Sequence, residues 1–409
     1  MITQEYLDFS HDHLNCDIHN LVLSSSTNNS FDIKYAARLI SSKQKLIKKM
    51  PLWAYDKKLY FPSPLSVEQS SSQLTGKNKQ NLIQKGIVFD ITGGIGVDTY
   101  FYAQVNERVH YFEKNRELFE STRHNLAKLN IDNVSFHNTT ATPHAIRELI
   151  SNSLSENNNC DTLLYIDPSR RSTKGEKMKS VFDYEPDFKE FADYMRGLPI
   201  KIVVKLSPIT DITEISRSVR SVDKFEIVSL SNECKELLLT INPELPDNYP
   251  TDSFIEAKML DSKGVQTSFI FRRDEKKRDK PTYSSDIHQY KYLYEPDNAI
   301  LSVGAFNTVA LRCKLVKIAP NTHLYLSNSI NDSFPGKIFK IKKVEDYNKR
   351  TIRNLHIVYP KANISVRNFQ LNAVALKKQL KTDDGGNISI FGCSLNSGER
   401  KIIISSRIK

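Results

Sequence analysis

Long hydrophobic runs are missing from this sequence. The longest are too short to cross a bilayer, which excludes a helical membrane protein. The first twenty residues carry Glu5, Asp8, Asp12 and Asp17 and no apolar core, so neither a signal peptide nor an anchor is expected there. Cysteine is sparse: Cys16, Cys160, Cys234, Cys313 and Cys393 form no C-x-x-C, have no histidine at zinc-ligand spacing and are odd in number. That pattern excludes a disulfide framework and a zinc module, and reads as reduced thiols in a cytoplasmic protein without a metal site. Acidic residues are outnumbered, 47 Asp and Glu against 58 Lys and Arg, leaving a formal charge of +11. A basic balance of this size attracts phosphate backbones. What remains, 39% hydrophobic and 26% charged residues over 409 positions, describes a soluble globular chain of two or three domains.

Glycine is also scarce, 14 in all, yet three fall within four positions in Asp90-Ile91-Thr92-Gly93-Gly94-Ile95-Gly96-Val97-Asp98. An apolar run from Gly86 to Phe89 leads into this stretch, and Thr99 to Gln104 opens a helix after it. Strand, glycine turn and helix start together make a ligand cradle, because glycine reaches positive φ and the helix presents unpaired N–H groups. A dinucleotide loop wants a small third residue where Thr99 stands, and carboxylates at Asp90 and Asp98 repel a pyrophosphate. A nicotinamide oxidoreductase is therefore disfavoured. The same carboxylates suit a ligand with ammonium, sulfonium and ribose hydroxyl groups, such as S-adenosylmethionine.

Upstream, residues 31 to 50 have helical apolar spacing (Ile33, Ala36, Ala37, Ile40), with Lys34, Arg38, Lys43, Lys45, Lys48 and Lys49 around it. The helix is expected to stop at Pro51, and its basic face is read either as solvated surface or as an RNA-contacting arm. Trp53 is expected in an irregular segment packed on the next domain. The polar run 69–73 could line a site.

Downstream to about Arg272, strands (Arg108 to Phe112, Val134 to Phe136, Thr162 to Ile166, Ile200 to Leu206) alternate with helices (Asn115 to Leu129, Phe188 to Met195), which predicts a parallel sheet with helices on both faces. Each strand ends in chemistry. Glu113, 23 residues after Asp90, can accept both ribose hydroxyls, and Asn138 is the candidate for an adenine edge. Asp167-Pro168-Ser169-Arg170-Arg171 offers a rigidly held carboxylate that can orient an exocyclic amine towards a methyl donor. Lys205 ends the fifth strand near the same face. Cys160 lies at the wrong end of its strand for a carbon-methylating nucleophile.

Together these stretches resemble the class I S-adenosylmethionine-dependent methyltransferases, and the loop is similar to that of rRNA guanine exocyclic-amine methyltransferases. The whole chain is similar to a bacterial group that ends in ferredoxin-like and THUMP-like domains, through FPSPLSVEQSSS, DITGGIGVDTYF, YIDPSRR, NECKELLL, YLYEPDNAILSVGAF, NTHLYLS, FPGKIFKI and ANISVRNF. The resemblance implies an α/β chain: an N-terminal helical region (1–80), a Rossmann-like methyltransferase sheet (81–275), a ferredoxin-like subdomain (285–334) and a C-terminal α+β THUMP-like domain (335–409). It implies S-adenosylmethionine held by Asp90, Thr92, Gly93, Gly94, Gly96, Asp98, Glu113 and Asn138. By resemblance Asp167 faces the transferred methyl; Pro168, Arg170 and Lys205 beside it complete the candidate catalytic set, and the partner implied is a structured RNA, rRNA or tRNA. The departure is Arg170, where amine methyltransferases carry an aromatic that stacks on a flipped base; Phe182 or Tyr184 is the candidate substitute.

The function expected is transfer of a methyl group to an exocyclic amine of a base. The alternatives are ribose 2′-hydroxyl methylation, with Asp167, Lys205 and Glu233 or Glu236 converging, and a non-catalytic RNA-binding protein that keeps the fold. The run RRDEKKRDK (272–280) is expected to be a linker, followed by a unit rich in basic residues (Lys337, Lys340, Lys342, Lys343, Lys349, Arg350, Arg353, Lys361, Arg367).

Overall fold

The computed structural model describes residues 2–24, 31–156, 160–169, 180–245, 253–284 and 286–409. The chain forms two compact units, the first of residues 1–225 with 235–251, the second of 226–234 with 252–409.

The first unit is built on β1 (Ile87–Asp90), β2 (Arg108–Phe112), β3 (Val134–His137), β4 (Thr162–Ile166) and β5 (Lys201–Leu206), all parallel to their neighbours. Beyond β5 runs β7 (Glu233–Ile241), antiparallel to it, and then β6 (Val222–Leu230), of which Val222–Phe225 belong to this unit. The order is β3-β2-β1-β4-β5-β7-β6. The central strands β1 and β4 are buried at every residue and mostly apolar, as a sheet covered on both faces requires, with Asp90 closing β1. The strand order turns back at β1, between β2 on one side and β4 on the other, and ligands in such sheets sit beyond the carboxyl ends there. The hairpin β6–β7 was not foreseen from the sequence.

The N-terminal helices do not stand apart from this sheet. Leu46, Met50, Trp53, Leu59, Phe61 and Val67 share one core with Ile95, Val97, Phe101 and Leu118. Asn125 binds both backbone groups of Tyr60, at 3.1 and 2.8 Å. Three expectations are corrected here. Pro51 starts a helix, Pro51–Tyr55, at the position where a missing N–H costs nothing. Trp53 lies on that helix, stacked on Phe61 and edge-on to Tyr100. The basic helix Ile33–Leu46 and the residues after it spend much of their charge internally: Lys43 is buried and donates to Asp56 O at 2.9 Å, and Lys49 donates to the carbonyls of Val67 and Ser70 at 3.1 and 2.7 Å. Arg38 pairs with Glu117 at 3.0 Å and Lys45 with Glu68 at 2.6 Å. Of its named cations Lys34 and Lys48 are left as candidates for contact outside the chain.

The second unit contains the antiparallel hairpin of β8 (Phe254–Leu260) and β9 (Gln266–Arg272). A seven-stranded sheet then comprises β10 (Tyr292–Pro296), β11 (Val316–Ala319), β12 (Thr322–Ser327), β13 (Gly336–Asp346), β14 (Asn363–Arg367), β15 (Ile388–Ser394) and β16 (Arg400–Arg407), in the order β11-β12-β10-β13-β16-β15-β14. Only β14 and β15 run parallel. Helices Lys349–Val358 and Ala373–Leu380 pack Leu355, Leu376 and Leu380 against Ile390, Ile402 and Ile404. The expected linker is instead tied down. Glu275–Arg278 is a helical turn, Glu275 pairs with Arg312 at 2.6 Å, and Lys276 donates to Val303 O at 2.8 Å. The charged run reads as solvated because Arg312 and Val303, which hold Glu275 and Lys276, lie well beyond it in the sequence.

Candidate functional site

The loop after β1 is shaped by contacts that only glycine permits. A Cβ on Gly93 would sit 2.1 Å from the Tyr111 ring, and one on Gly96, at φ +78°, would sit 2.5 Å from Thr122 Cγ2. Gly94, at φ +54°, is different: its Cβ would meet only Thr92 O at 3.9 Å, so the space beside it is open. The Gly94 carbonyl is pinned by Tyr111 Oη at 2.7 Å and Thr122 Oγ1 at 3.0 Å, which fixes the loop before any ligand arrives.

Around that opening the carboxyl ends of the parallel strands bring the expected residues together. Asp90 ends β1, fully buried; its Oδ2 accepts from Thr99 Oγ1 at 2.6 Å and its Oδ1 from Thr92 N–H at 3.2 Å. Burial, opposed only in part by the Thr99 bond, pushes the Asp90 carboxyl up to about 7. The threonine that broke the dinucleotide pattern thus holds the first carboxylate. Glu113, just beyond β2, accepts from Gly94 N–H at 3.2 Å and Asn115 N–H at 2.7 Å, and burial raises its pKa. Asn138, beyond β3, donates its amide to Glu113 O at 2.8 Å, so that side chain supports the Glu113 backbone and keeps only its Oδ1 for a ligand. Thr92 Oγ1 accepts from Asp167 N–H at 2.7 Å, strapping the end of β4 to the glycine loop. Pro168 is buried beside it. Arg170 lies outside the described residues.

Asp167 and Lys205 form an ion pair across the tips of β4 and β5. Burial alone would lower the Lys205 pKa, but Asp167, Asp98 and Glu236 outweigh it and hold the ammonium above its ordinary value.

Asp98, expected at the ligand, has several partners within the protein. It lies on helix Val97–Ala103 and its carboxylate is taken up inside the protein by Tyr165 Oη and Ser71 Oγ, both at 2.9 Å, and by Lys79 Nζ at 3.3 Å. Burial opposes its ionisation, yet Lys79, Lys205, Tyr165 and Ser71 prevail and lower its pKa. Lys79, with no exposed side-chain surface, also donates to Ser71 Oγ at 3.0 Å and to both oxygens of Glu236 at 3.1 and 2.8 Å. The sequence reading missed Lys79. Its signal was a lysine three residues after Gly76, on the helix face where a Cβ would meet the Phe101 ring. Of the proposed aromatic substitutes, Tyr184 is buried and Phe182 stacks on Phe188 at 6.0 Å.

Asp90 supplies a direct check. Its ionised form is disfavoured in the folded state, so it subtracts from stability increasingly as pH rises from about 4 to about 7. Asp90→Asn is expected to stabilise the fold at pH 8 by on the order of 2 kcal/mol, with the gain shrinking as pH falls and vanishing near pH 4. Thermal melts at the two pH values read this.

Strand order, glycine loop and strand-tip carboxylates define a class I methyltransferase fold. Residues 292–335 match the model of a ferredoxin-like domain and residues 336–407 that of a THUMP-like domain. A protein of Porphyromonas gingivalis W83, solved as a crystal structure under the name "putative methyltransferase", is 30% identical, with 100% of both chains covered and a TM-score of 0.85. The chain belongs to this family, the class I S-adenosylmethionine-dependent methyltransferases with C-terminal ferredoxin-like and THUMP-like domains. Slighter likenesses are to a Streptococcus mutans protein named "putative methyltransferase", solved with SAH (13% identity, 42% of this chain and 96% of that one, TM-score 0.29), and to an rRNA methylase from Streptococcus thermophilus (14%, 42% and 95%, TM-score 0.27). Neither bears on what this chain modifies. No curated protein matches. Among the described residues no three His, Cys, Asp or Glu are grouped to hold a metal ion, and no helix is long and apolar enough to cross a membrane.

Proposed function

We propose that this chain transfers a methyl group from S-adenosylmethionine to an exocyclic amine of a base in structured RNA, rRNA or tRNA. The observation that carries the reading is the meeting, at the ends of four adjacent parallel strands, of an open glycine turn with Asp90, Glu113 and the Asp167–Lys205 pair. This donor set fits the cofactor: Gly94 leaves space for a ligand to approach, Glu113 has acceptor capacity for ribose hydroxyls, and the surrounding carboxylates favour a cation over a pyrophosphate.

When bound, S-adenosylmethionine supplies an electrophilic methyl group. Lys205 holds Asp167 through Oδ2, leaving Oδ1 to accept an N–H of the target amine, to aim its lone pair, and to take up the proton that the nitrogen sheds once methylated. Lys205 is a poor general base, because its carboxylate neighbours keep it protonated. That disfavours the ribose reading, in which a neutral lysine would deprotonate a hydroxyl. The THUMP-like match and the exposed Lys349, Arg350 and Arg353 on one helix of the second unit support an RNA partner.

Nucleoside analysis of methyl-labelled RNA separates the two chemistries. A methylamino base is expected, and Lys205→Met is expected to slow the reaction less than Asp167→Ala does. A 2′-O-methyl product, or complete loss in Lys205→Met alone, would favour the ribose reaction.

A further inference from the structure

The second unit carries a cleft of about 480 Å³ at one end of its seven-stranded sheet, in the size range of small-ligand sites. Three loops line it: Ala319-Pro320-Asn321 between β11 and β12, Asn368-Phe369-Gln370 after β14, and the turn from Ser394 to Arg400 between β15 and β16. No carboxylate lines it, although this unit is charged throughout. Four of its side chains are amides, Asn321, Asn368, Gln370 and Asn396, and one is a guanidinium, Arg400.

The walls are held in place without a ligand. Thr322 Oγ1 donates to Ser394 O at 2.6 Å, joining the first loop to the third, and Asn368 Nδ2 reaches Thr322 Oγ1 at 3.4 Å, joining the second. The third loop closes on itself through Leu395 N–H to Glu399 O at 2.8 Å and Gly398 N–H to Leu395 O at 3.0 Å. Phe369 is fixed from behind by the Tyr347 ring at 5.0 Å. The recognition groups, by contrast, are unspent: among the described residues Asn321, Gln370 and Asn396 make no side-chain hydrogen bond and Arg400 no ion pair. The neighbouring Glu399 is paired with Lys401 at 3.3 Å.

We propose that this cleft receives one unpaired nucleotide of an RNA. Each amide presents a donor and an acceptor side by side, the pattern a base edge needs; a planar aromatic offers a stacking face, and an unpaired guanidinium suits the phosphate. A duplex would be met by shape and by phosphate and 2′-hydroxyl contacts, because its major-groove base edges lie in a deep, narrow groove and its Watson–Crick edges are paired. The inference rests on the RNA reading above and adds to it that the second unit recognises a single-stranded position, a loop, bulge or end.

The test uses the full chain and fluorescence anisotropy with a labelled eight-nucleotide single-stranded RNA of mixed sequence and a blunt duplex of the same sequence. Tighter binding of the single strand is expected. Asn396→Ala and Gln370→Ala are each expected to weaken it about tenfold, the worth of one good base-edge contact, while leaving duplex binding, melting temperature and S-adenosylmethionine binding unchanged. Wild-type binding of single strands that survives both variants, or an equal loss for duplex and single strand, would overturn the nucleotide cleft and leave the RNA reading standing. Failure of the wild type to bind either RNA, with the cofactor still bound, would overturn both.

Discussion

Asp167→Ala is expected to lower the rate of methyl transfer by about 10²- to 10⁴-fold, the usual worth of a positioned acid or base, and to leave S-adenosylmethionine affinity within a few-fold of wild type. The separation follows from where the groups sit. Asp167 reaches the candidate site through its carboxylate, whereas its link to the glycine loop is a backbone N–H to Thr92 Oγ1 at 2.7 Å, which alanine keeps. The substitution leaves Lys205 without its closest anion, but Asp98 and Glu236 still act on that ammonium, so the fold is expected to hold. Single-turnover rates and a cofactor titration on the same preparation check the two halves. A parallel fall in both would make Asp167 a structural residue.

Lys79→Met destabilises the first unit by about 3–5 kcal/mol, the loss that follows when one partner of a buried ion cluster is removed. The methionine fills the volume but leaves Glu236, almost fully buried and raised in pKa by that burial, without the ammonium that held both its oxygens. Asp98 loses the same group and keeps Tyr165 and Ser71. The penalty depends on pH with a definite sign. Removing Lys79 raises the Glu236 carboxyl further, and a carboxyl raised in the folded state makes stability fall as pH rises through its range. Denaturation of Lys79→Met is therefore expected to be milder near pH 5 than at pH 8, and Lys79→Met/Glu236→Gln is expected to recover part of the loss. Chemical denaturation of both variants at the two pH values reads this. An unchanged midpoint would show that the cluster contributes specificity and not stability.

These two residues also mark what a sequence can tell. Asp167 was legible because its surroundings are local: an apolar run, an Asp-Pro turn, and a glycine loop upstream that belongs to the same strand–turn–helix grammar. The positions of Asp90, Glu113 and Lys205 were legible for the same reason: Asp90 closes β1, Glu113 follows β2 and Lys205 lies at the end of β5. Asp98 sits in the same motif, but its partners were not legible, because they come from helix Gln73–Lys79, from the serine run before it and from β4, and β7 supplies the second acid on Lys79. Nothing within nine residues of Asp98 discloses that its charge is consumed inside. The basic helix Ile33–Leu46 failed in the same way. Its cations looked free because the carbonyls of Asp56, Val67 and Ser70 that they cap are invisible in a charge pattern. The strands β6 to β9 went unforeseen because the sequence reading ended the sheet with its last parallel strand, whereas antiparallel β7 extends it by pairing Leu206 with Leu237 and Ile202 with Ile241.

Whether this chain methylates RNA with S-adenosylmethionine is decided by incubating the full chain with labelled cofactor and total RNA from cells lacking the protein, with Asp167→Ala alongside. Label in a discrete RNA species, lost in the variant, is expected. Cofactor binding without label in any RNA, or label of equal strength with Asp167→Ala, would contradict the proposed function.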